Sequence, residues 1–153
     1  MLIVPTQSNN GYMKKVTPFL WFDNNAEEAM QFYISVFKNA KITSSGSFEI
    51  DGQEFLVLNG GPLYKFNEAF SIFVNCDSQK EVDDLWEKLS SGGEKGRCGW
   101  LKDKYGLSWQ IIPSTLREML GDQDHEKAKR VLNAMLSMDK IIVDDLIKAY
   151  SGK

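Results

Sequence analysis

Val16–Phe37, with the sequence VTPFLWFDNNAEEAMQFYISVF, predicts a strand that leads directly into a helix. The apolar run ends at Asp23-Asn24-Asn25, which are residues that favour turns and helix N-termini. Asn25 and Glu28 have the spacing of a capping pair, so we expect the helix to begin just after Asn25. Apolar residues then recur with the three-and-four spacing of a helix that buries one face, at Ala26, Ala29, Met30, Tyr33, Val36 and Phe37.

The same order of elements is predicted again at Ala69–Ser90, with the sequence AFSIFVNCDSQKEVDDLWEKLS. Ser78 and Glu81 form a capping box before the second apolar stripe. An offset of 53 residues carries this helix onto the first one. It places Ser78, Glu81, Val82, Leu85, Trp86 and Leu89 on Asn25, Glu28, Ala29, Phe32, Tyr33 and Val36, and every pair keeps its chemical class.

Short extended runs follow each helix and are separated by glycine-containing turns typical of antiparallel hairpins. They lie at Lys41–Thr43, Ser47–Ile50 and Glu54–Asn59 in the first half, and at Gly99–Leu101 and Leu107–Ile112 in the second. The sequence therefore predicts an α+β fold of two βαβββ modules whose mixed sheets curl around a cleft. We place the modules at residues 13–62 and 63–113, followed by a C-terminal helical extension at 114–153.

Composition excludes several classes of protein. The 153 residues are 42% hydrophobic and 25% charged, which is typical of a folded globular chain. A formal net charge of −3 disfavours general binding to nucleic acid. There is no apolar run of 18 residues and no signal peptide, so we expect a cytoplasmic protein without membrane contact. Residues 1–12 are polar and turn-rich after MLIVP, and we interpret them as a leader or tag-like segment.

Few residues are available for metal binding or for activating a nucleophile. The chain has one histidine, His125, which lies among charged residues and is expected to be solvated. Cys76 and Cys98 have no metal-binding spacing and are expected to be buried small side chains, with a disulfide between them left open.

Several long strings, in order, resemble the PhnB-like family, also described as 3-demethylubiquinone methyltransferase-like, of the vicinal oxygen chelate superfamily that includes glyoxalases. This resemblance implies the paired modules, a homodimer and a cavity enclosed by the sheets. The family usually has a longer polar loop between Lys41 and Phe48, where this chain passes almost directly across. The strings are TPFLWFD, AEEAMQFYISVF, DGQEFLVLNGGP, KFNEAFSIFVNCDSQKEVDDLWEKLS, CGWLKDKYGLSWQIIP and AMLSMDKI.

The resemblance also implies where metal ligands would stand. Enzymes of the superfamily place His, Glu or Gln ligands on the first and last strands of each module. The matching positions here hold Val16, Thr17, Pro18, Leu56, Ser71 and Gln110. One neutral amide cannot hold a catalytic ion against water. We therefore predict no metal and no cofactor.

The same positions can line a binding pocket for a small organic ligand, and the alternative is that Phe19, Trp21 and Phe73 are ordinary core residues of the strands. Strand alternation puts several aromatic, amide and hydroxyl side chains on common faces, although it leaves open which face is inward. Such a lining suits a flat or apolar ligand held by a few hydrogen bonds. The candidate ligand-binding residues are Phe19, Trp21, Ser71, Phe73, Asn75, Ser108 and Gln110.

Other functions remain as alternatives. A glyoxalase- or dioxygenase-type enzyme would need a metal site from other groups, for example Glu49, Glu54 and Gln110. Methyl transfer has no support, because the turn after the first strand lacks the glycines of a methyl-donor site. The charged segment Glu94–Lys104 has the composition of a nucleic-acid patch, but its acids favour a solvated hairpin.

Overall fold

The computed structural model describes residues 14–153, and the predicted leader at 1–12 lies outside them. The chain divides into two compact units, Met1–Phe66 and Asn67–Lys153. The first unit contains β1 (Phe19–Phe22), α1 (Ala26–Val36), β2 (Ala40–Ser44), β3 (Ser47–Ile50) and β4 (Gln53–Asn59). The second contains β5 (Ser71–Cys76), α2 (Gln79–Ser90), β6 (Glu94–Lys95), β7 (Trp100–Lys102), β8 (Ser108–Pro113), α3 (Ser114–Leu120), α4 (His125–Leu136) and α5 (Val143–Ser151).

The predicted α+β class with two βαβββ modules is confirmed. The sheets have the orders β1-β4-β3-β2 and β5-β8-β7-β6, with the first and last strands of each module parallel and the others antiparallel. Helices α1 and α2 begin at Ala26 and Gln79, which are 53 residues apart as the repeat requires. The short strand β6 was missed, because Glu94-Lys95 has no apolar residue to indicate a strand.

The first unit buries one face of its sheet against α1. Leu20 and Phe22 point to this face and are each 2% exposed, while Tyr33 of α1 is fully buried. The Tyr33 ring stacks on Phe48 with centroids 5.5 Å apart, and Phe48 stacks on Phe55 at 5.0 Å. Stacked aromatic pairs of this kind stabilise a core beyond the area that they bury.

The predicted capping role of Asn25 is wrong. Asn25 precedes α1, but its side chain makes no capping hydrogen bond. The backbone N–H of Ala26 instead donates to Oδ1 of Asn59, at 2.8 Å. Asn59 ends the strand parallel to β1, so the sheet itself brings this acceptor to the helix N-terminus. The predicted capping box of α2 is confirmed, since Ser78 Oγ accepts from Glu81 N–H and Glu81 Oε2 accepts from Asp77 N–H.

The β2–β3 hairpin is tight where the family loop was expected. Only Ser45 and Gly46 separate the two strands. Hydroxyl groups hold the turn, because Ser47 Oγ lies 2.7 Å from both Thr43 Oγ1 and Ser44 Oγ. The chain therefore closes this hairpin without any further residues.

The three C-terminal helices pack on the second module through a separate apolar cluster. Its buried members are Ile112, Leu116, Val131, Ile141 and Leu146. Asp124 caps α4, since its side chain accepts from the N–H groups of Glu126 and Lys127. Among residues 14–153, no helix has both the length and the apolar character needed to cross a membrane.

Gln79 fastens this helical extension to the module. Its Nε2 donates to the Ile141 carbonyl at 3.1 Å, and its Oε1 accepts from the Val143 N–H at 2.7 Å. Lys140 forms an ion pair with Asp83 one turn further along α2, at 2.7 Å. The Gln79 side chain, in the first turn of α2, therefore satisfies two backbone groups at the start of α5.

We expect Gln79→Ala to lower the free energy of unfolding by about 1–3 kcal/mol, because it leaves the Ile141 carbonyl and the Val143 N–H without their partner. Urea unfolding measures the loss, and amide exchange at Val143 should accelerate. The matched control is Lys80→Ala, which removes only an exposed ion pair with Asp84. Equal stability of the two variants would show that Gln79 does not fasten the extension.

Candidate functional site

The second sheet has one face covered by α2 and one face without a helix of its module over it. The covered face buries Leu101, Trp109 and Ile111, which are at most 2% exposed, against α2. The opposite face carries the alternate side chains of the same strands. We call it the open face, and its residues are Ser71, Phe73, Asn75, Glu94, Trp100, Lys102, Ser108, Gln110 and Ile112.

Five of the seven predicted ligand-binding residues lie together on the open face. Ser71 is the register partner of Ser108, and Phe73 is the register partner of Gln110, across the parallel β5–β8 pair. Gln110 Nε2 donates to Ser71 Oγ at 3.0 Å. Asn75 follows on β5, where it is exposed. The register thus shows that these five side chains share one face of the second sheet.

Trp100 and Lys102 belong to the same face but were not predicted as site residues. Trp100 pairs with Gln110 and Lys102 pairs with Ser108 across the antiparallel β7–β8 pair. This register depends on the connection between the strands. The Asp103 carboxylate, 2% exposed, accepts from the N–H groups of Tyr105 and Leu107.

A third hydrogen bond to Asp103 comes from the covered face. Trp109 Nε1 donates to its Oδ2 at 2.9 Å, and the Trp109 ring is fully buried. A buried carboxylate is costly unless several donors surround it, so the three bonds hold the turn in one conformation. Asp103 therefore positions Lys102 beside Ser108. In the sequence, Asp103 is one acid within a charged run. The prediction of a solvated hairpin therefore did not identify it as a buried residue of the turn.

A cavity of about 180 Å³ opens at the β6–β7 end of the open face. Ser108 lies in its lining, 1% exposed, and its Oγ has no hydrogen-bond partner. Trp100 adds an aromatic wall. A buried hydroxyl without a partner in the protein costs free energy, so Ser108 is a candidate contact for a polar group in this cavity. The full lining is Glu68, Glu94, Lys95, Gly96, Trp100, Leu101, Lys102 and Ser108.

Two carboxylates surround the ammonium group in this cavity. Lys102 Nζ lies 2.5 Å from Glu68 Oε1 and 4.0 Å from Glu94 Oε2. The hydrogen bond from Lys102 holds the pKa of Glu68 below its ordinary value of 4.5, and the same bond raises the pKa of Lys102 above 10.5. Glu68 and Lys102 therefore stay charged near neutral pH and form an ion pair at this end of the face.

The two remaining predicted residues, Phe19 and Trp21, belong to the first unit. Both lie on the β1 face away from α1, with Phe19 paired to Leu56 and Trp21 to Leu58. Trp21 Nε1 donates to the Gly61 carbonyl at 2.9 Å, and its ring meets Tyr64 edge-on at 5.1 Å. A Cβ on Gly60 would lie 2.2 Å from the Trp21 ring. The Trp21 side chain therefore packs against the segment that follows β4.

The residues at the implied metal positions do not fit a transition-metal ion. Ser71 and Gln110 bond to each other, and Leu56 is a hydrocarbon. The alternative donors Glu49 and Glu54 are register partners on β3 and β4, where Glu49 lies 3.6 Å from Lys41. Within residues 14–153, no three His, Cys, Asp or Glu side chains converge as a ligand set. Neutral amide and hydroxyl groups alone, such as those of Gln110 and Ser71, are weak ligands for such ions.

The charged hairpin has its cations engaged within the chain. Lys95 pairs with Glu87, Arg97 donates to the Leu136 carbonyl, and Lys102 pairs with Glu68. This arrangement disfavours a phosphate-binding patch. Cys76 and Cys98 are both free, and His125 is exposed at the start of α4.

Comparison with known proteins agrees with the geometry. The family model described as 3-demethylubiquinone-9 3-methyltransferase matches residues 14–47 and 44–112. One similar structure is that of a putative 3-demethylubiquinone-9 3-methyltransferase, PhnB protein, from Bacillus cereus. Its sequence is 32% identical and its TM-score is 0.62, and the alignment covers 66% of this chain and 100% of that protein. A Pseudomonas aeruginosa protein of known structure is 18% identical, with a TM-score of 0.55. The alignment covers 66% of this chain and 98% of that protein. No curated protein sequence matches the chain.

The limits of the family match coincide with two features of the fold. The match breaks at residues 44–47, which is the tight β2–β3 hairpin where the family's longer loop was expected. It ends at residue 112, so α3, α4 and α5 lie beyond it. The open face of the second sheet lies within the matched part.

Asp103→Asn tests whether the buried carboxylate holds the register. An Asn side chain keeps one oxygen for the backbone donors. It places its NH2 group against Trp109 Nε1, so that two hydrogen-bond donors face each other. We expect a loss of about 3 kcal/mol in the free energy of unfolding, measured in urea. Asp139→Asn at an exposed position is the matched control. A loss no larger than that of the control would contradict this role of Asp103.

Burial raises the pKa of the Cys76 thiol to about 12. The thiolate reacts with disulfide reagents, so Cys76 should stay unreactive from pH 7 to pH 10 while the chain is folded. In Cys98→Ser, which leaves Cys76 alone, we expect reaction with Ellman's reagent only after unfolding in urea. Rapid reaction of the folded variant at pH 8 would contradict the burial of this thiol.

Proposed function

Because this chain belongs to the 3-demethylubiquinone-9 3-methyltransferase, or PhnB-like, family of the vicinal oxygen chelate superfamily, we propose that it binds a small organic molecule on the open face of its second sheet. Binding uses hydrogen bonds and ring contacts and no transition metal. The observation that carries this proposal is the buried Ser108 hydroxyl, which has no partner and lines a cavity.

The chemistry of the face supports a flat molecule that carries an oxygen or nitrogen atom. A Ser108 hydroxyl can both donate and accept, and Gln110 adds an amide on the neighbouring row. Trp100 supplies an aromatic surface beside both. A ligand that bonds to Ser108 recovers the cost of that orphan group, which gives the site specificity as well as affinity.

Neither methyl transfer nor metal-dependent catalysis has a comparable observation in its favour. The family description includes a methyltransferase, but the turns that join strand to helix here are Asp23-Asn24-Asn25 and Asp77-Ser78, without glycine. The residues at the family's implied metal positions lack the donors for a transition metal. The proposal therefore stops at binding and assigns no reaction.

A homodimer, which the resemblance implies, and a cytoplasmic location, which the lack of a long apolar run suggests, are further parts of the proposal. Exposed aromatic side chains support a dimer: Phe19 and Phe73 on the sheets are 47% and 46% exposed, and Tyr64 is 61% exposed. Light scattering coupled to size exclusion measures the mass directly. A monomeric mass at micromolar concentration would remove the dimer from the proposal.

Ser108→Ala separates a binding role from a structural one. Since the hydroxyl has no partner, we expect the free energy of unfolding to stay equal or to rise by about 1 kcal/mol. Ser90→Ala is the control, because Ser90 is also buried but donates to the Trp86 carbonyl at 2.6 Å, and its loss should destabilise by about 1 kcal/mol.

The binding test is a thermal-shift screen of small aromatic and aliphatic carbonyl compounds beside zinc, nickel and manganese salts. We expect organic compounds to raise the melting temperature of the wild-type chain, and Ser108→Ala to reduce that shift. Stabilisation by the metal salts but by no organic compound would contradict the proposal and favour the glyoxalase-type alternative.

A further inference from the structure

We propose that Arg117, which the C-terminal extension brings onto the open face, selects ligands with a carboxylate group. This inference rests on the proposed function and names the ligand class, a flat monocarboxylate. The observation behind it is a contact between the extension and the sheet. The Cζ atom of Arg117 lies 5.8 Å from the centroid of the Phe73 ring.

The chain path explains how a residue outside the family match reaches this face. Helix α3 begins at Ser114, directly after β8 ends at Pro113. Leu116 is buried in the cluster that joins the extension to the module, which orients the short helix. Arg117 is the next residue, and it lies over a ring of β5, the strand parallel to β8.

Arg117 differs from the two other arginines of the second unit, and from several of its lysines, in its partners. Lys95, Lys102 and Lys140 are paired with carboxylates. Arg97 and Arg130 donate to backbone carbonyl groups. Within residues 14–153, Arg117 forms no ion pair, and it lies exposed on the Phe73 ring. Its guanidinium can therefore still offer the two parallel N–H groups that bind a carboxylate.

The rows of the open face place a ligand beside Arg117. The Phe73 ring, over which Arg117 lies, is on the row of Gln110 and Trp100. The adjacent row holds Ser108 and Lys102, about 6.6 Å away along the strands. The Lys102 ammonium in that row is already paired with Glu68 and lies near Glu94. A carboxylate is therefore attracted by Arg117, and the ring of the ligand lies toward Trp100.

Benzoate is the probe, and benzamide is its neutral counterpart of the same shape. Binding is followed by amide chemical shifts of the full-length chain during titration with each compound. We expect benzoate to bind about fivefold more tightly than benzamide, which is the size of an exposed ion pair. Arg117→Gln should remove this preference and leave benzamide affinity within twofold. Arg117→Lys should keep part of it.

Lys129→Gln is the control for the loss of one positive charge, since Lys129 is exposed on α4 away from the open-face residues. It should leave both affinities unchanged. Equal affinity for the two compounds, or a benzoate preference that survives in Arg117→Gln, would overturn the role of Arg117 while the binding site stands. If neither compound shifts the amides of Ser108 and Gln110 in the wild-type chain, both the carboxylate assignment and the proposed binding of flat organic molecules fail.

Discussion

Three hydrogen bonds to the buried carboxylate of Asp103 hold the connection between β7 and β8, and the arrangement of the open face follows from them. Two of the donors are backbone groups of the turn, and the third is the Trp109 indole from the covered face. The bonds therefore couple the core of the module to the turn. Because a strand shifted by one residue turns every side chain to the other face, this coupling decides that Lys102 and Ser108 lie side by side.

The free-energy cost of this arrangement falls on one side chain, Ser108. Neighbouring polar side chains of the second module are paired, including Gln110 with Ser71 and Lys102 with Glu68. Ser108 Oγ is buried and unpaired in the lining of a cavity. A fold that satisfies the surrounding groups and leaves one hydroxyl without a partner next to open space is consistent with a bound ligand that completes the network. The extension then adds Arg117 from outside the family match, which gives this chain a means of selecting its ligand that the module alone lacks.

The sequence predicted the elements whose signals are local. The apolar stripe of α1 and the Ser78 cap of α2 each depend on residues within four positions of one another, and both agree with the structure. The cap of α1 could not be predicted, because its acceptor, Asn59, is 33 residues away in sequence and reaches Ala26 only through the β1–β4 pairing. Strand β6 was missed for a related reason, since its two charged residues form a strand only beside β7.

The sequence also predicted part of the site, because alternation along a strand is a local signal. Alternation along β5 and β8 grouped Ser71, Phe73, Asn75, Ser108 and Gln110, and the register brings these together. Trp100, Lys102 and Arg117 were not among them, because their positions depend on the Asp103 turn and on the docking of α3. Phe19 and Trp21 share the pattern of alternation but lie in the first unit, where Trp21 is bonded to Gly61.

A crystal structure of the full chain, purified without chelators and grown at near-neutral pH with benzamide, tests the central claim most directly. The account predicts density for the organic molecule on the open face, with a polar atom within hydrogen-bond distance of Ser108 Oγ and Gln110 still bonded to Ser71. The contrary result would be a Ser108 hydroxyl bonded to a carbonyl of its own chain above an empty face, or an anomalous signal from a metal ion seated beside Gln110.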